Sequence, residues 1–404
     1  MRLAAVLVVA LLGAACSGEP EPAVPARDIL VVANAALGVD AGRQIERGTQ
    51  VAVERINARG GVRVAGRRHR LALTTMDTKG SAATAADNMR DAIGRGAVAI
   101  VGDGDGVDAV RGEAARLGVP IGIVRDGGPV IDPAERPNVF RVAPANHDLA
   151  LRFREYLVPK RQTVAVLHDD GPYGRDALDA IASAFTEFRD LIAGSIAIGA
   201  SPGAAGEVRQ ARRAGAEALL VWAAPSATAA VIAAARSDGW TGPIYTGPAG
   251  ADPAVRESLV ERPDRIDGVI FATARMAGGA DPGAYDTFRD AYEERFGAGE
   301  IAAKQGGRTV VDPPRWAMYA SDFVEMIAGA VAAAGSANPG SRLIAAMESV
   351  VVKGANGAER RFSATDHDAV DREEIFFARF SDFVWIPVKD DPRSAGFPDV
   401  TQIR

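Results

Sequence analysis

The stretch Ala97–Val124, AVAIVGDGDGVDAVRGEAARLGVPIGIV, decides the fold class of this chain. Its first five residues, Ala97–Val101, are all apolar, and a second apolar run follows at Val119–Val124. Between these runs, the apolar residues of Val107–Leu117 recur at helical spacing. Uninterrupted apolar strands joined by a helix are typical of a parallel sheet that is covered on both faces. The stretch therefore predicts a β-α-β unit of an α/β protein.

The same alternation extends from this unit in both directions and restarts after Asn138–Pro144. The predicted strands are Ile29–Ala33, Arg70–Met76, Thr163–His168, Ser195–Ile198, Ala218–Trp222, Pro243–Thr246 and Gly268–Ala272. The predicted helices are Gly42–Asn57, Ala82–Ile93, Asp148–Leu157, Tyr173–Phe188, Glu207–Ala214, Thr228–Ala235, Tyr285–Phe296, Arg315–Ala334 and Ser341–Ser349. Two successive series of such units predict an α/β protein with two doubly wound lobes. Near the end, Ile375–Phe380 and Phe383–Ile386 predict a β-hairpin.

The amino terminus has the pattern of a secretory signal, with Arg2, the apolar run Leu3–Leu12 and small residues before Cys16. A membrane-spanning helix would need about 20 apolar residues. The site resembles the lipobox of bacterial lipoproteins, which implies a signal peptide at 1–15 and a lipid anchor on Cys16. The alternative is an ordinary cleavage site beside an unrelated cysteine. Residues 16–27 hold three prolines and predict a semi-rigid spacer.

Composition argues against several classes of partner and cofactor. The 46 basic and 52 acidic residues give a net charge of −6 and are interspersed, which disfavours a nucleic-acid partner. Cys16 is the single cysteine, so the body must fold by burial alone. None of the four histidines has the spacing of a metal motif. We expect neither a metal nor a cofactor.

One internal segment, Ala218–Ala235, resembles a transmembrane helix because it carries no charge. Pro225 lies near its centre, where a spanning helix would be broken. We therefore predict a buried strand that turns into an apolar helix.

Two short motifs point to other functions and fit them poorly. Gly199–Gly203 matches the G-x-S-x-G motif of serine hydrolases around Ser201, but Pro202 has no N–H to donate to an oxyanion. Gly102–Gly106 is G-x-G-x-G rather than a dinucleotide loop, and its aspartates would repel a pyrophosphate. Glycines at the carboxyl end of a parallel strand nevertheless bring backbone N–H groups close to a ligand crevice.

Several motifs together resemble the type I periplasmic solute-binding proteins of the leucine, isoleucine and valine binding group. Arg47–Val62, RGTQVAVERINARGGV, is similar to that family's first helix. Further similar motifs follow in order, at Ala99–Gly102, Gly118–Pro120, Val139–Pro144, Val164–Arg175, Gly247–Pro248 and Phe288–Gly297. The resemblance implies a ligand cleft between two lobes, an ABC permease as partner and no catalytic residues. It implies lobe I at 28–142 plus 273–360, lobe II at 143–272 plus 361–390, and a tail at 391–404.

The positions that hold an amino acid in this family differ here. By resemblance, hydroxyl residues that hold the ligand carboxylate would fall at Gly106 and Gly127, and an acidic residue that holds the ammonium would fall at Ala249. A buried ammonium without a carboxylate partner is costly. We therefore expect a small polar organic ligand other than a standard α-amino acid.

Other residues supply candidate contacts near these positions. Arg125 and Asp126 precede Gly127, while Asp103 and Asp105 lie in the neighbouring loop. We expect Arg125 to pair with an anionic group of the ligand, and Tyr173 or Trp222 to pack on its apolar part. The alternatives are that Arg125 and Asp126 form a solvated surface pair and that Trp222 is a core residue.

These features predict an extracytoplasmic, monomeric, lipid-anchored receptor that captures a small molecule and delivers it to an ABC importer. A lipoprotein that senses the ligand without transport would use the same fold. An exported hydrolase acting through Ser201, or a lobe pair that binds no ligand and serves as a scaffold, are further alternatives.

Overall fold

The computed structural model describes residues 28–128, 131–199, 203–276, 281, 283–297, 302–305, 308–382, 384–394 and 402–403. Its strands are β1 Ile29–Ala35, β2 Val62–Val64, β3 Arg67–His69, β4 Leu71–Asp77, β5 Ala99–Gly102, β6 Ile121–Ile123, β7 Val139–Arg141, β8 Val164–Asp169, β9 Ile192–Ile198, β10 Ala218–Trp222, β11 Ile244–Thr246, β12 Ile270–Ala274, β13 Ala302–Gln305, β14 Arg308–Val311, β15 Val351–Lys353, β16 Glu359–Arg361, β17 Ile375–Ser381, β18 Val384–Pro387 and β19 Gln402–Ile403. Its helices are α1 Asp40–Ala58, α2 Ala82–Gly94, α3 Val107–Leu117, α4 Asn146–Leu157, α5 Pro172–Ala184, α6 Ala205–Arg213, α7 Pro225–Ser237, α8 Pro253–Glu257, α9 Gly283–Phe296, α10 Arg315–Ala334 and α11 Ser341–Met347.

The first sheet is parallel throughout and has the strand order β4-β1-β5-β6-β7. Counted in chain order within this sheet, β4 is the second strand, and it lies on one side of β1. The third, fourth and fifth strands, β5, β6 and β7, follow on the other side of β1. This is one of the two common doubly wound orders, and it places the point where the order reverses between β1 and β5. The carboxyl ends of the strands meet at one edge of the sheet.

The second sheet repeats this topology. Its strand order is β18-β17-β12-β11-β10-β8-β9, and the five strands β8–β12 are parallel in the same second-first-third-fourth-fifth arrangement. The strands β17 and β18 are added antiparallel at the β12 edge and form the hairpin that the sequence predicted. The predicted α/β fold with two doubly wound lobes is confirmed.

The core of the first lobe depends on close packing between α1 and α10. A Cβ atom on Gly48 of α1 would lie 2.0 Å from the carbonyl oxygen of Ala317, so only glycine permits this distance between the helices. On the other side, Phe323 packs against Gly122 in β6, where an added Cβ would lie 2.5 Å from the ring. The helix α10 is long and apolar enough to cross a membrane, but most of it is buried inside the protein. It is a core helix, which explains its apolar composition.

The segment Ala218–Ala235 adopts the predicted conformation. It forms the fully buried strand β10 and then most of α7, which begins at Pro225. Proline is well accommodated at the first turn of a helix because its missing N–H would have no intrahelical partner there.

The structure also differs from the sequence prediction in several places. The hairpin of β2 and β3 was not predicted, since its arginines mask the apolar alternation of Val62 and Val64. The helix predicted to end at Phe188 ends at Ala184, and the chain continues as a 3-10 turn. The described part of the predicted tail is packed, because the buried Asp391 carboxylate accepts a hydrogen bond from Arg152 at 2.8 Å.

Candidate functional site

A cavity of about 200 Å³ lies between the two sheets, at the carboxyl ends of their strands. The first lobe contributes the loops after β5 and β6 and the start of α10, and the second lobe contributes the loops after β8, β10 and β11. In doubly wound sheets, ligands bind in the crevice outside the carboxyl ends of the strands. The cavity therefore lies where the fold favours a small-molecule site.

The loop after β5 brings two carboxylates to the cavity wall. The Oδ1 atom of Asp103 accepts a hydrogen bond from the backbone N–H of Asp105 at 3.2 Å, and its backbone carbonyl accepts one from Asp126 at 3.1 Å. These bonds join the loops after β5 and β6. Burial, together with the nearby charge of Asp105, raises the pKa of Asp103.

In the loop after β6, the packing around position 127 leaves no room for a hydroxyl side chain. An added Cβ on Gly127 would lie 2.4 Å from the Oδ1 atom of Asn146 and 2.7 Å from the carbonyl oxygen of Pro144. The Asn146 side chain thus occupies the space that a side chain at 127 would need. Next to it, Asp126 accepts a hydrogen bond from Gly128 N–H at 3.1 Å, and burial raises the pKa of Asp126 to about 6.

Arg125 lines the cavity as predicted, and it is half-buried. Within the described residues its guanidinium forms no hydrogen bond or ion pair. Its positive charge lies close enough to Asp103 and Asp126 to offset part of the rise that burial causes in the pKa of each carboxyl. The predicted alternative, a solvated surface pair with Asp126, does not describe this geometry, because both residues face the cavity.

Among the cavity residues that the sequence interpretation missed, Arg315 and Asn146 are buried and have unpartnered polar atoms. The Nη2 atom of Arg315 donates to the carbonyl oxygen of Pro248 at 3.1 Å, and its guanidinium stacks on Trp316 at 4.5 Å. Among the described residues, Arg315 Nη1 and both side-chain polar atoms of Asn146 have no hydrogen-bond partner. Arg315 is 5% exposed and Asn146 is 4% exposed. Buried polar groups are nearly always satisfied, so these atoms point to a polar ligand.

A signal for these two residues exists in the sequence, although it is weak. Arg315 follows Pro313 and Pro314 at the start of the most apolar helix, where a charged residue is unexpected. Asn146 likewise begins α4 shortly after Pro144. In both cases a polar residue stands at a helix start shortly after a proline.

In the second lobe, Asp169 organises the loops and Tyr173 faces the cavity. The Oδ1 atom of Asp169 accepts hydrogen bonds from the N–H groups of Gly171 and Gly174, and Oδ2 accepts one from Ala224 at 3.0 Å. Its carboxylate is therefore occupied by backbone donors. Tyr173 lines the cavity as predicted, and burial raises the pKa of its hydroxyl.

Ala249 also lines the cavity and offers no carboxylate at that position. Asp252, three residues further on, belongs to the same wall and caps α8 by accepting from Ala254 N–H at 3.0 Å. Asp105 lines the first-lobe side as predicted and is exposed. The cavity thus combines two arginines with several carboxylates.

Two predicted site residues do not reach the cavity. Gly106 begins α3 with a φ of +75° and packs against α2, where an added Cβ would lie 2.5 Å from the carbonyl oxygen of Ala82. Trp222 is fully buried in the core of the second lobe, next to Phe153 at 6.0 Å between ring centroids. Its ring also packs against Gly247. Trp222 therefore offers no aromatic face on which a ligand could stack. Trp316 is the aromatic residue that lines the first-lobe side of the cavity instead.

The described residues support neither a serine hydrolase nor a metal site. Ser201 and Pro202 of the hydrolase-like motif lie outside them, as does Cys16. In the part of the chain that the structure covers, no three His, Cys, Asp or Glu side chains group in a way that could hold a metal ion.

Comparisons with known proteins agree with the fold. The family profile described as periplasmic binding protein matches residues 32–382, and the chain belongs to that family. A type 1 periplasmic binding protein from Bordetella pertussis Tohama I is 20% identical, with a TM-score of 0.75, over 94% of this chain and 99% of that chain. A branched-chain amino acid transporter substrate binding protein from Streptococcus pneumoniae, solved with isoleucine, is 18% identical, with a TM-score of 0.71, over 93% and 99%.

A third solved structure, an ABC transporter substrate-binding protein from Desulfitobacterium hafniense in complex with Leu, is 17% identical. Its TM-score is 0.70, and the match covers 90% of this chain and 100% of that chain. At these identities the likeness establishes the type I periplasmic binding protein fold. No curated protein matches the chain.

Proposed function

We propose that this protein is an extracytoplasmic solute receptor that captures a small polar organic ligand with an anionic group and delivers it to an ABC importer. The observation that carries the proposal is the set of unpartnered donors on Arg125, Arg315 and Asn146 in a cavity walled by both lobes. The receptor performs no reaction on its ligand. Solved proteins of the same fold are described as ABC transporter substrate-binding proteins, which supports the importer as partner.

The ligand differs from a standard α-amino acid in this proposal. The two glycines at 106 and 127 provide no hydroxyl for an α-carboxylate, and Asn146 fills the space beside Gly127. Arg125 and Arg315 instead offer guanidinium groups, which bind carboxylate or phosphate oxygens through charge-assisted hydrogen bonds. Tyr173 and Trp316 supply aromatic surface to the same cavity for an apolar part of the ligand.

Ligand binding would stabilise closure of the lobes. We place lobe I at 28–142 plus 273–360 and lobe II at 143–272 plus 361–390. Arg315 of the first lobe already contacts the Pro248 carbonyl of the second at 3.1 Å, so a ligand that satisfies Nη1 would touch both sides at once. A ligand shifts a conformational equilibrium only as far as it binds one state better than the other. A ligand bound to both lobes meets that condition.

The receptor is proposed to act as a monomer held to the membrane by a lipid on Cys16. Metabolic labelling with a radioactive fatty acid tests the anchor. We expect label in the membrane-bound wild type and none in Cys16→Ser. Label that persists in Cys16→Ser would overturn the anchor without affecting the ligand proposal.

Native mass spectrometry of freshly purified protein, followed by thermal-shift titration, tests the ligand class. The panel compares leucine, isoleucine and valine with aromatic carboxylates and aliphatic dicarboxylates. A ligand stabilises the folded state by RT ln(1 + [L]/Kd), so the midpoint should rise with the concentration of a true ligand. We expect shifts from carboxylates that lack an α-amino group, and loss of those shifts in Arg125→Gln. A concentration-dependent shift from leucine, isoleucine or valine alone would refute the proposed ligand class.

A further inference from the structure

The chain contains one strongly basic segment that the overall charge conceals. Residues 55–76 include six arginines and no aspartate or glutamate, although the whole chain has a net charge of −6. We call β2, β3 and Arg70 together the basic hairpin, because they carry four of these arginines. Its arginines are Arg63, Arg67, Arg68 and Arg70. All four are exposed.

The hairpin directs its charge outward and keeps like charges close together. Its turn at Ala65 and Gly66 has positive φ angles of 46° and 84°, as two-residue hairpin turns require. Val62 and Val64 are buried, whereas Arg63 and Arg68 lie directly opposite each other across the strands. Like charges in directly opposed positions destabilise a strand pair. This arrangement favours an external anionic partner.

Little within the described residues neutralises the guanidinium groups of Arg63, Arg68 and Arg70. Arg68 donates to the backbone carbonyl of Gly61 at 3.1 Å, which leaves its charge uncompensated. Arg63 and Arg70 contact no carboxylate among the described residues. The nearby Glu325 is already paired with Arg59 at 2.8 Å.

The basic hairpin lies where the chain enters the body from its amino-terminal segment. The N–H of Ile29, at the start of β1, donates to the carbonyl oxygen of Arg70 at 2.8 Å, and Ile29 pairs with Leu71. This is the amino end of the first sheet, opposite the cavity. The seven residues of β1 separate the two ends by about 20 Å.

We propose that the basic hairpin binds the headgroups of anionic phospholipids in the membrane that holds the lipid anchor. The inference rests on the proposed anchoring through Cys16, because residues 17–27 would then tether this end of the body within about 35 Å of the bilayer. Charge complementarity favours a lipid surface, since basic clusters near a membrane gain about 1 kcal/mol per Lys or Arg. In this orientation the cleft faces away from the bilayer and is open to solute. The contact is weak enough to be released when the receptor delivers its ligand.

The test uses the chain from Ser17 onward, which has no anchor and retains every helix and strand of the structure. Its binding to phosphatidylcholine vesicles with and without phosphatidylglycerol is measured by co-sedimentation at low and high salt. We expect binding only to the anionic vesicles, and a steep loss of binding at high salt. The triple variant Arg63→Gln, Arg67→Gln, Arg70→Gln should bind roughly a hundredfold more weakly.

A matched control changes the same number of exposed arginines on the second lobe. The triple variant Arg161→Gln, Arg209→Gln, Arg213→Gln should bind anionic vesicles like the wild type. Thermal unfolding of each variant in the absence of vesicles confirms that it folds.

Equal losses of vesicle binding in both triple variants would overturn the proposal in favour of non-specific attraction. Absence of vesicle binding, combined with reduced solute uptake in the hairpin variant, would overturn it in favour of an acidic protein partner. Neither outcome affects the ligand proposal, because thermal-shift titration measures ligand binding without a membrane.

Discussion

Replacing Arg315 with methionine should separate ligand recognition from fold stability. The Arg315 side chain is buried, it donates one hydrogen bond to the Pro248 carbonyl, and its guanidinium stacks on Trp316. Arg315 lines the cavity, and its buried Nη1 atom has no hydrogen-bond partner in the described structure. Burial also lowers the pKa of Arg315, which means that the surroundings do not fully compensate its charge. Methionine has a similar length and is apolar, so it fills the space without a charge.

The expected change in the free energy of unfolding is small because the contributions oppose one another. Loss of a hydrogen bond from a charged donor costs about 1.5–3 kcal/mol. Loss of the stacking on Trp316 costs about 0.5–2 kcal/mol. Removing a buried donor that lacks a partner returns about 1–3 kcal/mol. We therefore expect the ligand-free protein to be destabilised by about 1.5 kcal/mol, within a range from about 1 kcal/mol of stabilisation to about 4 kcal/mol of destabilisation. The affinity for an anionic ligand should fall by about 2–5 kcal/mol, or roughly thirtyfold to a few thousandfold.

Arg256→Met is the matched control, because Arg256 is an equally buried arginine that faces Asp312 instead of the cavity. The two side chains form an ion pair, and both are buried. Removing the guanidinium leaves the Asp312 carboxylate buried without it, which should destabilise the fold by about 3–5 kcal/mol. Neither Arg256 nor Asp312 lines the cavity. Ligand affinity of the folded fraction should therefore be close to that of the wild type.

Urea unfolding without ligand and calorimetric titration with the strongest carboxylate of the thermal-shift panel measure the two quantities. We expect Arg315→Met to lose affinity with little change in stability, and Arg256→Met to lose stability with little change in affinity. If Arg315→Met lost clearly more than about 4 kcal/mol of stability, towards the upper end expected for a residue of a compensated buried ion network, the assignment of Nη1 to the ligand would be wrong. Unchanged affinity in a stable Arg315→Met protein would refute it as well.

Three further predictions concern the site and its scaffold. The pKa of Asp126 is raised to about 6 in the folded state and is about 3.9 when unfolded, so its contribution to stability is present below the unfolded value and is lost as the pH rises through 6. In urea unfolding across this window, the wild type should lose about 2–3 kcal/mol more than Asp126→Asn, because other buried carboxylates with a raised pKa, such as Asp103, remain in the variant. Gly48→Ala should destabilise the fold by about 1–3 kcal/mol because its Cβ would meet the Ala317 carbonyl, whereas Gly112→Ala, which meets nothing, should stabilise it by about 0.5–1 kcal/mol in the same assay. Trp222→Phe should lower stability by about 1–3 kcal/mol through lost core packing and leave ligand affinity unchanged in calorimetry, and a large loss of affinity would restore Trp222 to the site.

Much of the fold could be predicted because its signals are local. The apolar runs of β5 and β10 and the helical spacing of α3 and α10 appear in consecutive residues. Their alternation along the chain predicted two doubly wound lobes, which the sheet orders confirm. The repeated strand order itself was not visible, because the two lobes share topology without similar residues.

Part of the site could also be predicted, since doubly wound folds bind ligands at the carboxyl ends of their strands. Arg125, Asp126 and Gly127 follow β6, and Tyr173 lies just after β8, so their places in the chain indicated the cavity. The position of Trp222 at the end of β10 gave the same signal, yet its side chain points into the core. Strand ends specify which residues lie near a cleft, but the direction of each side chain depends on what packs beside it.

The sequence by itself determined the α/β class, the two-lobed arrangement and the edge of the sheets where the cavity lies, because apolar periodicity and strand ends are properties of neighbouring residues. Only the tertiary structure decided which polar atoms remain without partners. Arg315 and Asn146 are 169 positions apart in the sequence, and each becomes a candidate ligand contact only because the surrounding side chains leave its donors unsatisfied in a shared cavity. Whether a buried polar atom is satisfied depends on residues that approach from both lobes, and that information is not local in the sequence.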